Sequence, residues 1–284
     1  MAARAVPSPV TLNNRLARTL ASLRARRRCA LIPYIMAGDP TPQATERLVD
    51  TLVASGADVV ELGVPFSDPI ADGPINQRAG LRAMAQGMGL GPALDVVTRL
   101  RERTSVPLAF MTYYNLIFQH GLERFCRDAT SAGLDGLIVA DLPPEEGGEL
   151  IAAARQADLA TVFLLAPTST EARIRAVAGA CTGFVYCVSR TGVTGVRDEL
   201  PEGLRALVLR IREQTTAPIC VGFGLSSPEQ AREVASLADG VIVGSAIVKM
   251  IEDAPAELDR IGAFVRDLRA AIDAPPLTGR TTPT

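Results

Sequence analysis

The sequence predicts an α/β fold, a (β/α)8 TIM barrel formed by a single domain with an extra N-terminal helix. Three observations lead to this prediction. Short runs rich in Val, Ile and Leu recur along the 284-residue chain, each followed by a segment with helical periodicity. These runs are almost continuously apolar, as expected for strands buried on both faces of a parallel sheet. No long linker divides the alternation, and a chain of this length fits one barrel of about 250 residues.

Eight strands and a set of amphipathic helices follow from this alternation. The predicted strands are Ala30–Met36, Asp58–Gly63, Pro107–Thr112, Gly136–Ala140, Thr161–Leu165, Phe184–Val188, Ile219–Gly222 and Gly240–Val243. The clearest helical segments are Ala44–Ala54, Leu122–Ser131, Glu145–Ala157 and Pro228–Ser236. Thr170 and Ser227 are suitable N-cap residues. An open doubly wound sheet is the alternative, but the turn after the first strand lacks the GxGxxG pattern usual in that fold.

The two ends of the chain differ from the repeating part. Leucines at helical spacing precede the first strand, which predicts the extra helix and indicates that it covers one end of the barrel. These leucines are Leu12, Leu16, Leu20 and Leu23. The basic run from Arg24 to Arg28 is interpreted as a solvated helix end whose charges complement the helix dipole. The barrel is placed at residues 12–273, and residues 1–11 and 274–284 are predicted to be disordered.

Composition argues against several classes of protein. Hydrophobic residues form 48% of the chain and the net charge is −2, so a large core is expected and no basic field would collect nucleic acid. The apolar runs are too short to span a bilayer, and the first residues lack the apolar segment of a secretory signal. The five cysteines are odd in number and show no CxxC spacing, which favours buried, reduced thiols in a cytoplasmic protein.

Two acidic residues are candidates for catalysis because functional groups in such barrels gather at the C-terminal ends of the strands. Glu61 lies within the apolar second strand. If it points into the barrel, loss of contact with water raises its pKa and suits it to proton transfer. Pairing with a core arginine is the alternative interpretation. Asp72 lies in the proline-rich loop that follows, where turn formation is the alternative to a functional role.

Glycines in the loops after strands seven and eight indicate a phosphate site. Gly224 follows strand seven, and Gly244 with Ser245 follows strand eight at the start of a helix. Backbone N–H groups can approach an anion there, and a helix N-terminus favours negative charge. Tight turns are the alternative reason for these glycines. The loop after strand six, Ser189–Gly195, is predicted to be a mobile lid, with an ordinary flexible connection as the alternative.

The scarcity of histidine and lysine restricts the chemistry. Cleavage of a carbon–carbon bond in a sugar phosphate usually needs a lysine Schiff base or a divalent metal as an electron sink. The single lysine, Lys249, lies in a helical segment rather than at a strand end, and the single histidine is His120. No metal site is therefore predicted. A lyase with these residues needs a substrate that supplies its own sink, and an indole ring protonated at C3 does so.

A longer motif connects these residues with a known family. Glu61–Pro69, which reads ELGVPFSDP, and Ala71–Pro74, which reads ADGP, together resemble the signature of the tryptophan synthase α chain. Further matches, in the same order, are Ile32–Tyr34, Ala37–Pro40, Tyr113–Leu116, Ala140–Pro143, Ser189–Gly195, Gly222–Glu229 and Gly244–Lys249. The resemblance extends from about residue 12 to about residue 270.

This resemblance implies a carbon–carbon lyase that cleaves indole-3-glycerol phosphate to indole and glyceraldehyde 3-phosphate in L-tryptophan biosynthesis. Glu61 and Asp72 match the family's two catalytic residues. The residues implied to contact the substrate are Tyr34, Tyr113, Tyr186 and Thr194. Those implied to bind its phosphate are Gly195, Gly224, Gly244 and Ser245. Tyr34 occupies a position at which the family often has phenylalanine.

The resemblance also implies a partner. This chain itself needs no cofactor, and a β chain carrying pyridoxal phosphate receives indole through a tunnel in a cytoplasmic α2β2 heterotetramer. A stand-alone indole-releasing lyase without a β partner is the alternative. Indole-glycerol-phosphate synthase, a related kind of barrel, relies on catalytic lysines that this chain lacks. Glu61 and Asp72 argue against a non-catalytic subunit that only activates a β chain.

Overall fold

The computed structural model describes residues 12–188, 203–222 and 224–275. Eight strands form a closed barrel in which each strand lies beside its neighbours in sequence, from β1 to β8. All the pairings are parallel, including the one between β8 and β1 that closes the barrel. The predicted (β/α)8 barrel is therefore confirmed.

The strands and helices alternate as the sequence predicts. The strands are β1 Ala30–Met36, β2 Val60–Gly63, β3 Leu108–Thr112, β4 Gly136–Val139, β5 Ala160–Leu165, β6 Val185–Val188, β7 Ile219–Gly222 and β8 Gly240–Val243. The helices in the described part are α1 Arg15–Ala25, α2 Pro42–Ala54, α3 Pro74–Ala85, α4 Leu90–Arg101, α5 Tyr114–His120, α6 Leu122–Ala132, α7 Gly148–Gln156, α8 Glu171–Ala180, α9 Leu204–Arg212, α10 Pro228–Ala235, α11 Ser245–Asp253 and α12 Leu258–Asp273.

The predicted boundaries depart from the observed ones where side chains or turns intervene. β2 begins two residues later than predicted, and Asp58 instead accepts a hydrogen bond from the backbone N–H of Leu31 at 2.9 Å. α7 begins at Gly148 rather than Glu145 because the chain after Pro143 forms a turn, with the N–H of Glu146 bonded to its carbonyl at 3.0 Å.

Both predicted N-caps form. The hydroxyl of Thr170 accepts from the backbone N–H of Arg173, and that of Ser227 accepts from the N–H of Gln230. Each bond satisfies one of the first N–H groups of the helix, which have no carbonyl partner within it. The helices α8 and α10 therefore begin where the sequence indicates.

The extra helix α1 closes the N-terminal end of the barrel, as predicted. Leu16, Leu20 and Leu23 are buried with Leu12 among inward-facing strand residues such as Phe184. Full burial of one leucine stabilises the fold by roughly 1.5–3 kcal/mol. With this end filled by apolar side chains, polar groups can line the barrel interior only near its C-terminal end. No helix in the described part of the chain is long and apolar enough to cross a membrane.

Candidate active site

Glu61 lies inside the barrel near its C-terminal end. Val59 packs in the inner cluster, whereas Val60 and Leu62 pack in the outer layer against the helices. Side chains alternate along a strand, so Glu61 faces inward with Val59. It is paired in register with Tyr34 of β1 and with a residue of β3. The conditional prediction that Glu61 points into the barrel thus holds in the structure.

The carboxyl of Glu61 is fully buried and has no hydrogen-bond partner in the described residues. The alternative prediction of a partner arginine is not supported among those residues, since no ion pair to Glu61 is formed there. Burial disfavours the ionised form and raises the pKa of Glu61 to about 8. At neutral pH the group is mostly protonated, and it can therefore donate a proton.

Asp72 lies in the loop between β2 and α3, and its side chain does not cap the turn. Its Oδ2 instead accepts a hydrogen bond from the hydroxyl of Tyr113 at 2.9 Å, and the side chain of Asn76 also bonds to it. Burial raises the pKa of Asp72, and these two hydrogen bonds oppose the rise. Asp72 is therefore held by donors that favour its charged form, in contrast to Glu61.

Two buried tyrosines flank Glu61, and each needs a glycine beside it. A Cβ added at Gly63 would lie 2.2 Å from the hydroxyl oxygen of Tyr34. One added at Gly222 would lie 2.5 Å from the hydroxyl oxygen of Tyr186. Burial raises the pKa of both tyrosines, and the charge of Glu61 adds to the rise in each. Both phenols therefore remain protonated beside the carboxyl.

A cavity of about 110 Å³ opens beside these residues at the C-terminal end of the barrel. Its lining includes six of the residues predicted for the site. They are Tyr34, Asp72, Tyr186, Gly224, Gly244 and Ser245. Glu61 and Tyr113 are not part of the lining. Glu61 lies on the strand beside the lining residue Tyr34, with which it is paired in register, and Tyr113 acts on the cavity through Asp72. Thr194 and Gly195 lie outside the described residues.

The backbone around Gly224 and Gly244 fits the predicted phosphate site. Gly224 has a φ of 49°, in the left-handed region that glycine adopts without a steric penalty. Gly244 is the N-cap of α11, and no side chain caps that helix, so its first N–H groups face the cavity beside Ser245. A helix N-terminus of this kind attracts an anion.

Comparison with known proteins places the chain in a family. The family model of the tryptophan synthase alpha chain matches residues 20–273. A relative from Geobacter sulfurreducens with that name is 53% identical over 261 residues, which are 91% of this chain and 99% of the relative. The chain belongs to the tryptophan synthase alpha chain family. The recognition made from the Glu61–Pro69 segment is thereby confirmed.

Solved structures agree with this assignment. Tryptophan synthase subunit alpha from Legionella pneumophila is 40% identical with a TM-score of 0.84, and the match covers 92% of this chain and 98% of that one. A tryptophan synthase structure from Mycobacterium tuberculosis is 38% identical with a TM-score of 0.85, and covers 92% and 99%. The likeness to the tryptophan synthase alpha family thus extends over nearly the whole barrel.

Residues beyond those predicted complete the cavity. Asn76 bonds to Asp72, and its side-chain oxygen is buried without a partner in the described residues. The apolar wall consists of Met111, Leu164, Val188 and Ile242. The sequence could have identified this wall. Side chains alternate along a strand, and each of these residues lies two positions after one that faces into the barrel. An apolar wall of this kind suits a flat aromatic ring.

The single histidine and lysine of this alpha-family chain lie away from the cavity. His120 pairs with Asp128 at 2.7 Å, and Lys249 pairs with Asp253 on the exposed side of α11. No group of three or more His, Cys, Asp or Glu in the described residues could hold a metal ion. The titratable side chains that line the cavity in the described residues are therefore one carboxyl, of Asp72, and two phenols, of Tyr34 and Tyr186.

Proposed function

We propose that this chain cleaves indole-3-glycerol phosphate to indole and glyceraldehyde 3-phosphate, the alpha-chain reaction of tryptophan biosynthesis. The observation that carries the proposal is the fully buried Glu61, whose two oxygens have no partner in the described residues. It is paired in register with Tyr34, which lines a cavity together with Asp72 and a helix N-terminus suited to phosphate. The family assignment supplies the reaction for which these groups are suited.

Glu61 is assigned two successive proton transfers. As a neutral acid, which its pKa of about 8 permits at neutral pH, it donates a proton to indole C3. The ring becomes an iminium-like cation, and the bond from C3 to the side chain breaks with its electrons returning to the ring. The carboxylate of Glu61 then accepts the proton of the adjacent hydroxyl as that carbon becomes an aldehyde. The proton taken up and the proton released balance.

Asp72 is assigned to the indole N–H. Its carboxylate accepts that hydrogen bond and stabilises the positive charge that develops on the ring. The bonds from Tyr113 and Asn76 favour the ionised form and fix the position of the carboxylate. The surroundings of the two carboxyls differ, so Glu61 is assigned as the neutral acid and Asp72 as the anion. Enzymes with two active-site carboxyls often divide the roles in this way.

The remaining predicted residues are assigned to substrate binding. Tyr34 and Tyr186 flank the indole ring, and the phosphate is bound by backbone N–H groups at Gly224, Gly244 and Ser245. When the loop after β6 closes over the substrate, Gly195 is proposed to complete the phosphate site and Thr194 to approach Asp72. The support is the position of the described residues around one cavity.

A β chain is the proposed partner. It would carry pyridoxal phosphate and receive indole in a cytoplasmic α2β2 assembly, whereas this chain would act without a cofactor. Support comes from the similarity to an alpha chain within structures named tryptophan synthase. Exposed apolar residues at the C-terminal end of the barrel add to it, since Ile70 is 82% and Phe118 61% exposed. The stand-alone lyase remains the competing proposal.

A steady-state assay of indole release tests both proposals. Indole-3-glycerol phosphate is supplied to the chain alone and to the chain with a β chain from the same source. Release of indole that rises on addition of the β chain supports the partnership, and release that does not change supports the stand-alone lyase. Absence of indole release in both conditions would contradict the proposed reaction.

A further inference from the structure

A second cavity, of about 810 Å³, lies at the end of the barrel opposite the candidate active site. Its lining includes Cys29 and Asp239, which directly precede β1 and β8, so it opens at the N-terminal ends of the strands. The ends of α1, α9, α10 and α12 form its walls. Six arginines line it: Arg24, Arg26, Arg27, Arg28, Arg212 and Arg232. We refer to this cavity as the basic pocket.

The basic pocket has more positive than negative charge. Its two carboxylates are already paired, Asp273 with Arg28 at 3.0 Å and Asp239 with Arg212 at 3.1 Å. The other four arginines are not neutralised in this way. Arg24 and Arg232 donate to backbone carbonyls, and in the described residues neither Arg26 nor Arg27 forms an ion pair. Four positive charges are therefore left in excess within one concave surface.

Residues 1–11 and 276–284 contain no acidic side chain that could supply the missing negative charge. Residues 276–284 contain Arg280 and no acidic side chain, and residues 1–11 contain Arg4 and no acidic side chain. An external anion would provide the remaining charge.

The backbone at Arg27 shows how α1 ends beside the basic pocket. Its φ is 53°, in the left-handed region, and the N–H groups of Arg27 and Arg28 bond back to Arg24 and Leu23 at 3.0 and 2.9 Å. This geometry ends many helices, and glycine is the usual residue there because a side chain is strained in it. The left-handed backbone therefore belongs to the end of α1, and it places the guanidinium of Arg27 in the lining of the basic pocket.

We propose that the basic pocket binds a small polyphosphate anion, an inorganic chain or the phosphates of a nucleotide. Guanidinium groups donate pairs of hydrogen bonds that match phosphate oxygens, and arginines from three helices surround the space. The volume lies in the range of small-molecule sites, roughly 300–1,000 Å³. Nucleic acid is disfavoured because the net charge of −2 leaves no extended basic surface along which its backbone could lie.

The test uses calorimetric titration of the full chain with inorganic tripolyphosphate. The double variant R26S/R27G removes two charges from the basic pocket and is expected to weaken binding at least tenfold. The control R175S/R205S removes two exposed charges from α8 and α9 and is expected to bind like the parent. A third variant, G244L, obstructs the phosphate end of the candidate active site and should also retain this binding.

The results separate a specific site from other outcomes. Unchanged binding in R26S/R27G, or equal weakening in R175S/R205S, would overturn the proposal. Binding that is lost in G244L and kept in R26S/R27G would place the anion in the candidate active site instead. Titration with ATP, compared with tripolyphosphate, then distinguishes a nucleotide from an inorganic chain by whether the base adds affinity.

A second pair of variants separates the side chain of Arg27 from its backbone. R27A and R27G both remove the guanidinium, but only glycine relieves the left-handed strain. Both should lose affinity for tripolyphosphate to the same extent, and R27G alone should melt at a higher temperature than the parent. If R27A and R26S/R27G both bound tripolyphosphate as tightly as the parent, the basic pocket would have no role in binding it.

Discussion

Two buried carboxylic acids, Asp135 and Glu61, have opposite surroundings. The side chain of Asp135 is 2% exposed and pairs with Arg101 at 2.7 Å and with Arg15 at 3.0 Å, and it accepts the N–H of Leu108. Glu61 is 0% exposed and has neither an ion pair nor a hydrogen bond in the described residues. A buried charge is usually compensated in the way that Asp135 is. Glu61 is instead kept neutral by burial, and its carboxyl forms no bond that stabilises the fold, which points to a role in proton transfer.

The largest expected effect is on the rate, from E61Q. Glutamine has nearly the same shape but neither donates nor accepts the catalytic proton, so kcat for indole release should fall by about 10²–10⁴. Binding of the substrate should change little. D68N, a change at an exposed acid of the same loop region, is the control and should keep most of the activity. A variant E61Q within a few-fold of the parent rate would refute the proposed mechanism.

The same variant should change how stability depends on pH. The pKa of Glu61 is about 8 in the folded chain, against 4.5 for the free group, so the folded state retains a proton that the unfolded state releases. The parent therefore loses stability as pH rises from about 4.5 to 8, and E61Q does not. The difference in unfolding free energy should grow to about 3–5 kcal/mol. Urea unfolding at pH 5 and pH 8 measures it, and a difference independent of pH would contradict it.

Substitution of Asp135 should have the opposite effect to that of Glu61: it should lower the stability of the fold and leave the catalytic rate unchanged. D135N leaves Arg101 partly buried without its negative partner, and loss of one partner of a buried pair costs about 3–5 kcal/mol of stability. The pair lies towards the N-terminal ends of the strands, far from the cavity, so the folded variant should keep its kcat. Urea unfolding and the indole assay check the two parts. Loss of kcat with normal stability would contradict the structural role assigned to Asp135 and the assignment of catalysis to Glu61 instead.

A smaller effect is expected at Asp72. Y113F removes the hydroxyl that donates to Asp72 at 2.9 Å, and a hydrogen bond to a charged group contributes about 1.5–3 kcal/mol. We expect kcat to fall about tenfold or more. Because that bond lowers the pKa of Asp72, the acidic limb of the pH–rate profile should move to higher pH. The neighbouring change Y114F is the control, and an identical pH profile in Y113F would argue against a positioning role.

Much of this arrangement could be predicted from the sequence, for identifiable reasons. Continuous apolar runs gave β1, β7 and β8 with their observed bounds, because strands buried on both faces need no polar alternation. Glu61 could be recognised since a carboxylate interrupts such a run. That it has no partner could not be predicted, because this depends on which residues of other strands face it across the barrel. The basic pocket also could not, since Arg27, Arg212 and Arg232 come from distant parts of the chain.

The space beside Glu61 provides the last and smallest test. In G63A the new methyl group would lie 2.2 Å from the hydroxyl oxygen of Tyr34, so the ring must move or the strand must yield. Such overpacking typically costs about 1–3 kcal/mol. Y34F removes that oxygen, although the ring carbon that bears it still lies 2.7 Å from the added Cβ. The double variant G63A/Y34F should therefore recover part of the stability, on the order of 1 kcal/mol, by urea unfolding. If the losses of unfolding free energy in G63A and Y34F simply added in the double variant, the hydroxyl of Tyr34 would not be the group that leaves no room for a side chain at position 63. In that case the need for glycine at 63 would come from the ring itself, and phenylalanine at 34 would need it equally.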